Sequence, residues 1–261
     1  MLERRFCSMK GAEFSSKRLL SLQRLSVFAG VLPVGYLLVN LVPWYLVIIT
    51  RSFTIGDSTY QEVDTFKTVA LQVVTATAGA TLIALVLTAL INWLTRKSAS
   101  CSTSFIVAAA LNGLIWFGDG ISGNHLTFNS PLTMNALVAG RFYGVSNTAF
   151  AFGAVGAMIA LLAWADWLKS RYSLRASLLA VSGVGLLLVI VDAAPFLGAD
   201  FGGALALIPT LGVALVKLSG RSLRPRILVL LGLISAGLLS GVAILEWLLR
   251  GENSTHLGRF G

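Results

Sequence analysis

The stretch Gly140–Trp164, GRFYGVSNTAFAFGAVGAMIALLAW, joins a polar and aromatic entrance to an uninterrupted apolar run. Arg141, Phe142, Tyr143, Ser146 and Asn147 crowd its start, and no further charge follows until Asp166. Crossing the roughly 30 Å hydrocarbon core of a bilayer takes about 20 apolar residues in a helix. A polar mouth on such a run has meaning only at a boundary between lipid and water.

The rest of the chain repeats this pattern. Of 261 residues, 56% are hydrophobic and 12% charged, with a mean hydropathy of +0.82. Soluble domains carry about a quarter charged residues. Here the charges fall between apolar runs, so the sequence describes an all-α, polytopic integral membrane bundle. Seven runs stand out, at 27–50, 68–94, 102–118, 146–168, 176–194, 201–217 and 227–249. They divide the chain into a basic tail (1–26), a transmembrane bundle (27–249) and a short tail (250–261). The first run is too long for the core of a cleaved signal peptide and reads as a retained span. Pro33, Pro43 and Pro209 should kink or interrupt their runs. Gly237 with Gly241, and the face of Gly153, Gly156 and Ala157, suit close helix contact.

Lys and Arg are distributed unevenly across these runs. Fifteen fall in the N-terminal tail and in the connections 2–3, 4–5 and 6–7; five (Arg51, Lys67, Arg141, Arg250 and Arg259) fall on the other side. The positive-inside rule therefore places the N-terminus in the cytoplasm and the C-terminus outside. The net charge of +9 is spread between spans rather than along one face, which argues against nucleic acid as a partner. Cys7 and Cys101 both fall on the cytoplasmic side, where a disulfide is not expected.

The acids sort the opposite way. Only Glu3, Glu13 and Asp166 fall inside, while eight carboxylates and both histidines, His125 and His256, fall at the outer face. The segment 130–140 begins Ser-Pro and ends in Gly, and is too short to span, so it is expected as a helix in the outer interface. Ser146 or Asn147 then caps the fourth span, whose outward start presents free N–H groups and a positive macrodipole end. Arg141 beside it either forks onto a phosphate or carboxylate or snorkels to headgroups between Phe142 and Tyr143. Asp192 follows six apolar residues, Leu186 to Val191. A carboxylate at mid-span costs roughly 2.5–3.5 kcal/mol, so Asp192 calls for a partner, with Arg141 or Arg259 the natural choices. Asp200 suits the N-cap of the sixth span, and Gly198, Gly202 and Gly203 permit close approach of backbone or ligand. Asp119, in FGDGISGNH, ends the third span. Carboxylates with imidazoles could bind a metal, but no HxxxH or HxxE spacing exists, so neither a metal nor another cofactor is expected. No nucleophile–base signature appears either, and the chain alone does not read as an enzyme.

NLVPW at 40–44, NSPL with AGRFYGVSN at 129–147, GADFGG at 198–203 and THLGRF at 255–260 resemble a family of actinobacterial polytopic membrane proteins. In longer relatives this bundle is similar to the membrane half of proteins carrying an extracytoplasmic domain of the alkaline-phosphatase/sulfatase type. Only a short basic tail precedes the first run, so that domain is not expected in this chain. The resemblance implies architecture and a cell-envelope setting rather than a reaction. The expected function is a cell-membrane protein whose outer polar site holds an anionic or lipid-linked phosphate headgroup. In that site Arg141, Asn147, His256 and Arg259 would face the anion, with Asp119, Asp192 and Asp200 as charge partners. The alternatives are a transporter or flippase, and an anchor for a separately encoded extracytoplasmic enzyme domain. Membrane lipids are partners in every case.

Overall fold

The computed structural model describes residues 16–42, 48–55, 58–98, 102–127, 130, 147–194, 197 and 201–250. Within them lie seven helices: α1 (Ser16–Leu38, prolonged by a 3-10 turn at Val39–Leu41), α2 (Thr65–Leu94), α3 (Thr103–Ser122), α4 (Asn147–Arg171), α5 (Leu174–Ala193), α6 (Phe201–Leu218) and α7 (Pro225–Arg250). Helices α1 to α5 are long and apolar enough to cross a membrane, and the apolar stretches Gly202–Leu218 and Pro225–Leu238 are shorter.

The structure departs from expectation in two places, both before α2. The run 27–50 does hold a candidate span, but at Ser21–Leu41 and not through residue 50: its helix begins at Ser16 and is over by Leu41. Pro43 accounts for the end, because it lacks an N–H and pushes the preceding residue out of the helical region. Val42 is accordingly extended, at φ −104° and ψ 131°. The fold is also not purely helical. β1 (Thr50–Ile55) pairs antiparallel with β2 (Ser58–Val63), in the register Phe53↔Tyr60. TRSFTI and STYQEV are rich in β-branched and aromatic residues, and Gly56-Asp57 between them is a hairpin signal.

Contacts along the helices make consecutive ones antiparallel. On α1, Gly35 meets Ala80 while Val27 and Val31 pack with Ala84 and Ile91 of α2. On α3 and α4, Gly113 meets Ala157 and Gly153 meets Trp116. Ser177 Oγ donates to the Ala165 carbonyl across α4–α5 (2.9 Å), Gly185 meets Leu211 across α5–α6, and Gly212 meets Leu231 across α6–α7. The Lys/Arg-rich connections therefore gather at one end, with Gln23 of α1 bonded there to Ser104. The hairpin, Asp119 and Asp192 occupy the other end.

Most of what α2 buries is small or polar. On α2 the residues Thr68, Gln72, Ala76, Ala80, Ala84 and Thr88 recur every fourth position on the buried stripe. Leu71, Val73, Val74, Leu82, Leu85, Val86 and Leu90 of the same helix are exposed. In water this pattern would be inside out; in lipid, helices associate through small residues and polar bonds while large apolar side chains face the acyl chains. The α3–α4 seam is a close approach made by several glycines. A Cβ on Gly156 would lie 2.7 Å from the Ala109 carbonyl oxygen, and one on Gly153 would lie 2.8 Å from Trp116 Cβ. Gly153 and Gly156 thus serve helix contact as their spacing suggests, whereas Gly237 and Gly241 have nothing within 4 Å among the described residues.

Candidate functional site

Three carboxylates organise the end of the bundle opposite the Lys/Arg-rich connections, each in a different way. Asp119, in the last turn of α3, is 4% exposed. The helix stops at Gly123, in the left-handed region at φ 101°, and Asn124 follows at φ 61°. This reversal carries the chain back over the helix end, where Asp119 accepts from Leu126 N (2.8 Å), Thr127 N (2.7 Å) and Thr127 Oγ1 (2.5 Å). The folded-back loop then ties down its neighbours. Asn40 Nδ2 donates to the Leu126 carbonyl (3.1 Å), Ser130 Oγ donates to the Tyr36 carbonyl (3.0 Å), and Asn124 Nδ2 donates to the Leu197 carbonyl (2.9 Å). Among the described residues, Asp119 is held by backbone and hydroxyl donors rather than by a cation.

Asp192, in the last turn of α5, is 2% exposed. It lines a narrow cleft of about 260 Å³, part of it open to the surroundings, with Trp116, Gly120, Phe150, Gly153 and Val191. Its Oδ2 and the Phe150 ring occupy the space a Cβ on Gly203 would need. Phe150 belongs to the first turn of α4 and Gly203 to the first turn of α6. Two helix starts, each the positive end of a macrodipole, therefore flank this buried carboxylate. Trp116 and Gly120 also bring α3 to the cleft, so the ends of α3 and α5 and the starts of α4 and α6 meet at one place.

Asp64 caps α2. Its Oδ1 accepts from Lys67 N (3.2 Å), and its Oδ2 pairs with Arg51 Nε (2.5 Å) and Lys67 Nζ (3.6 Å). The Lys67 backbone N–H, then Arg51 and the Lys67 charge, hold its carboxyl below the ordinary value against the opposing effect of burial. Alongside, Asp64 N donates to the Ile49 carbonyl (2.8 Å) and Ile49 N donates to Thr68 Oγ1 (2.9 Å). The hairpin is fastened to the start of α2 by these bonds.

No protein-family model, curated protein or solved structure matches the chain. The reading of the site therefore rests on its own chemistry.

Of the residues singled out in the sequence, Asp119, Asp192 and Gly203 come together at this end, and Asn147 begins α4, exposed. Gly202 is exposed and Gly203 buried, so the close approach is made at Gly203. His125 is exposed in the loop after α3. Arg141, Ser146, Gly198, Asp200, His256 and Arg259, and the segment 131–140, lie outside the described residues. Among the described residues no three His, Cys, Asp or Glu side chains gather to hold a metal ion. Sequence reasoning missed Asn40 and Asn124, and took Ser130 as a helix cap where its hydroxyl ties to the Tyr36 carbonyl of α1. The Gly123-Asn124 pair after α3 is the one local signal that a folded-back loop follows. It also missed the Arg51–Asp64 clamp, which only the hairpin register brings together.

Proposed function

We propose that this chain is a seven-span cell-membrane protein with its Lys/Arg-rich end in the cytoplasm, and that its opposite end holds an anionic headgroup, such as that of a lipid-linked phosphate in envelope chemistry. The observation that carries this reading is that the α4 and α6 starts meet beside the buried Asp192 in an otherwise apolar cleft, helix starts being a setting that favours negative charge. Arg141 stands six residues before Asn147, and an extended chain covers at most about 3.6 Å per residue, so its backbone stays within roughly 20 Å of that end. A guanidinium there supplies the bidentate fork that a phosphate takes. His256 and Arg259 follow α7 in the sequence, and α7 ends at Arg250 on that same side. The cleft beside Asp192 is too narrow for a drug-sized ligand, which favours holding a headgroup at the surface over passing a substrate through the bundle. The resemblance to membrane halves of phosphatase-like proteins fits this role, and a separately encoded extracytoplasmic enzyme domain is the partner it implies.

The test is native mass spectrometry of the protein with phosphatidylglycerol or phosphatidylcholine. The phosphodiester lipid without a choline charge should be retained preferentially, and Arg141→Ala should abolish the preference. Equal retention of both lipids, or a preference unchanged in Arg141→Ala, would reject the reading.

A further inference from the structure

The β1–β2 hairpin has a structure that nothing above explains. All twelve strand residues are exposed. An isolated two-stranded hairpin is marginal in water, so a well-formed one is expected to be covered or supported. Its root is supported, by the Asp64, Arg51, Ile49 and Thr68 bonds. Its blade is not.

The register sorts the side chains into two unlike faces. Thr50, Ser52, Thr54, Thr59, Gln61 and Val63 share one face, where the Thr54 and Thr59 hydroxyls approach to 3.5 Å. The opposite face carries Phe53 stacked on Tyr60, with ring centroids 5.6 Å apart and planes at 21°, flanked by Ile55 and Ser58 at the tip and by Arg51 opposite Glu62 at the root. Ile55 is 66% exposed. One face is hydroxyl-rich; the other is aromatic and aliphatic toward the tip and charged at its root, where Arg51 and Glu62 stand at headgroup level.

We propose that the hairpin is an interfacial blade, lying in the lipid headgroup layer with its aromatic face toward the acyl chains and its hydroxyl face toward water. This rests on α2 being a membrane span, and not on which side of the membrane is outside. α2 has 30 residues, hence a length of about 45 Å, comparable to a whole bilayer with its headgroups at about 40–45 Å. Its first turn, and the hairpin rooted one residue earlier, therefore sit at headgroup depth. The exposed apolar surface of α2 starts beside that root with Phe66, continuous with the region the aromatic face would enter. Phe-Tyr pairs with a polar handle suit this zone, where one side is apolar and the other wet. Arg51 and Lys67, both more than half exposed, stand at the same level, where phosphates are.

Adjacent residues at the blade tip, Thr54 and Ile55, face opposite ways and leave the Phe53–Tyr60 stack intact, so they discriminate. In a Cys7→Ser, Cys101→Ser background, an environment-sensitive fluorophore is placed at Thr54→Cys, Ile55→Cys or Leu82→Cys in phosphatidylcholine nanodiscs, with helical circular dichroism confirming each fold. The expected result is severalfold stronger quenching by aqueous iodide at position 54 than at 55, with lipid-borne nitroxide quenching 55 and 82 but not 54. Equal iodide access at 54 and 55, with 82 quenched from lipid, overturns the blade while leaving the span intact. Shielding of 55 from both quenchers, as strand addition by a partner chain or second copy would produce, also overturns it. Absence of lipid quenching at 82 overturns the span reading and the blade together.

Discussion

At the scale of single residues, Asp119 shows how a buried charge in a membrane bundle can be structural. Its two oxygens receive three donors from the loop that folds back over α3. Asp119→Ala leaves two backbone N–H groups and a hydroxyl without their acceptor, and should lower stability by about 2–4 kcal/mol, given the cost of orphaned donors to a charged group. Thermal unfolding in detergent measures this, and a loss below what one surface substitution causes would show that the loop does not depend on the carboxylate. Gly203→Ala places a methyl against Asp192 and Phe150. Overpacking of this kind typically costs about 1–3 kcal/mol, and the neighbouring Gly202→Ala, at an exposed position, provides the control.

At the scale of elements, the hairpin is held to α2 through one carboxylate whose folded-state pKa is depressed. A depressed Asp stabilises the folded form above its ordinary value of about 3.9, and that contribution is lost as pH falls through the folded value. The hairpin should therefore loosen from α2 in acid below about pH 4, and Asp64→Asn should loosen it at neutral pH; spin-label mobility at Thr59→Cys reports both. Mobility that stays constant across that acid range would mean that backbone bonds at Ile49 and Thr68 suffice. The α3–α4 seam makes a second element-scale prediction. Gly156→Ala should destabilise by about 1–3 kcal/mol, whereas Gly237→Ala, with nothing within 4 Å among the described residues, should stay within about 0.5 kcal/mol of the parent.

At the scale of the whole molecule, antiparallel helices bring the Lys/Arg-rich connections to one end and the three carboxylate centres to the other. Membrane-impermeant thiol reagents on intact cells should label Thr54→Cys from outside and leave Ser102→Cys unlabelled. Outside labelling of Ser102→Cys would invert the proposed orientation.

Helix positions from α2 onward were legible from hydropathy alone, because in lipid every backbone polar group must be satisfied within its own segment. The seven-run reading thus places all six later helices to within a few residues. The first run misled because hydropathy does not register that Pro43 ends a helix or that TRSFTI and STYQEV alternate as strands. The polar end was legible as a set of residues but not as an arrangement. Asp119 and Asp192 look alike in sequence, both being acids after apolar runs. Only tertiary structure decides that one is wrapped by its own loop while the other is flanked by the starts of α4 and α6. The physical reason is that a helix's existence depends on its own residues, whereas a buried charge depends on which donors the rest of the chain brings within hydrogen-bond reach.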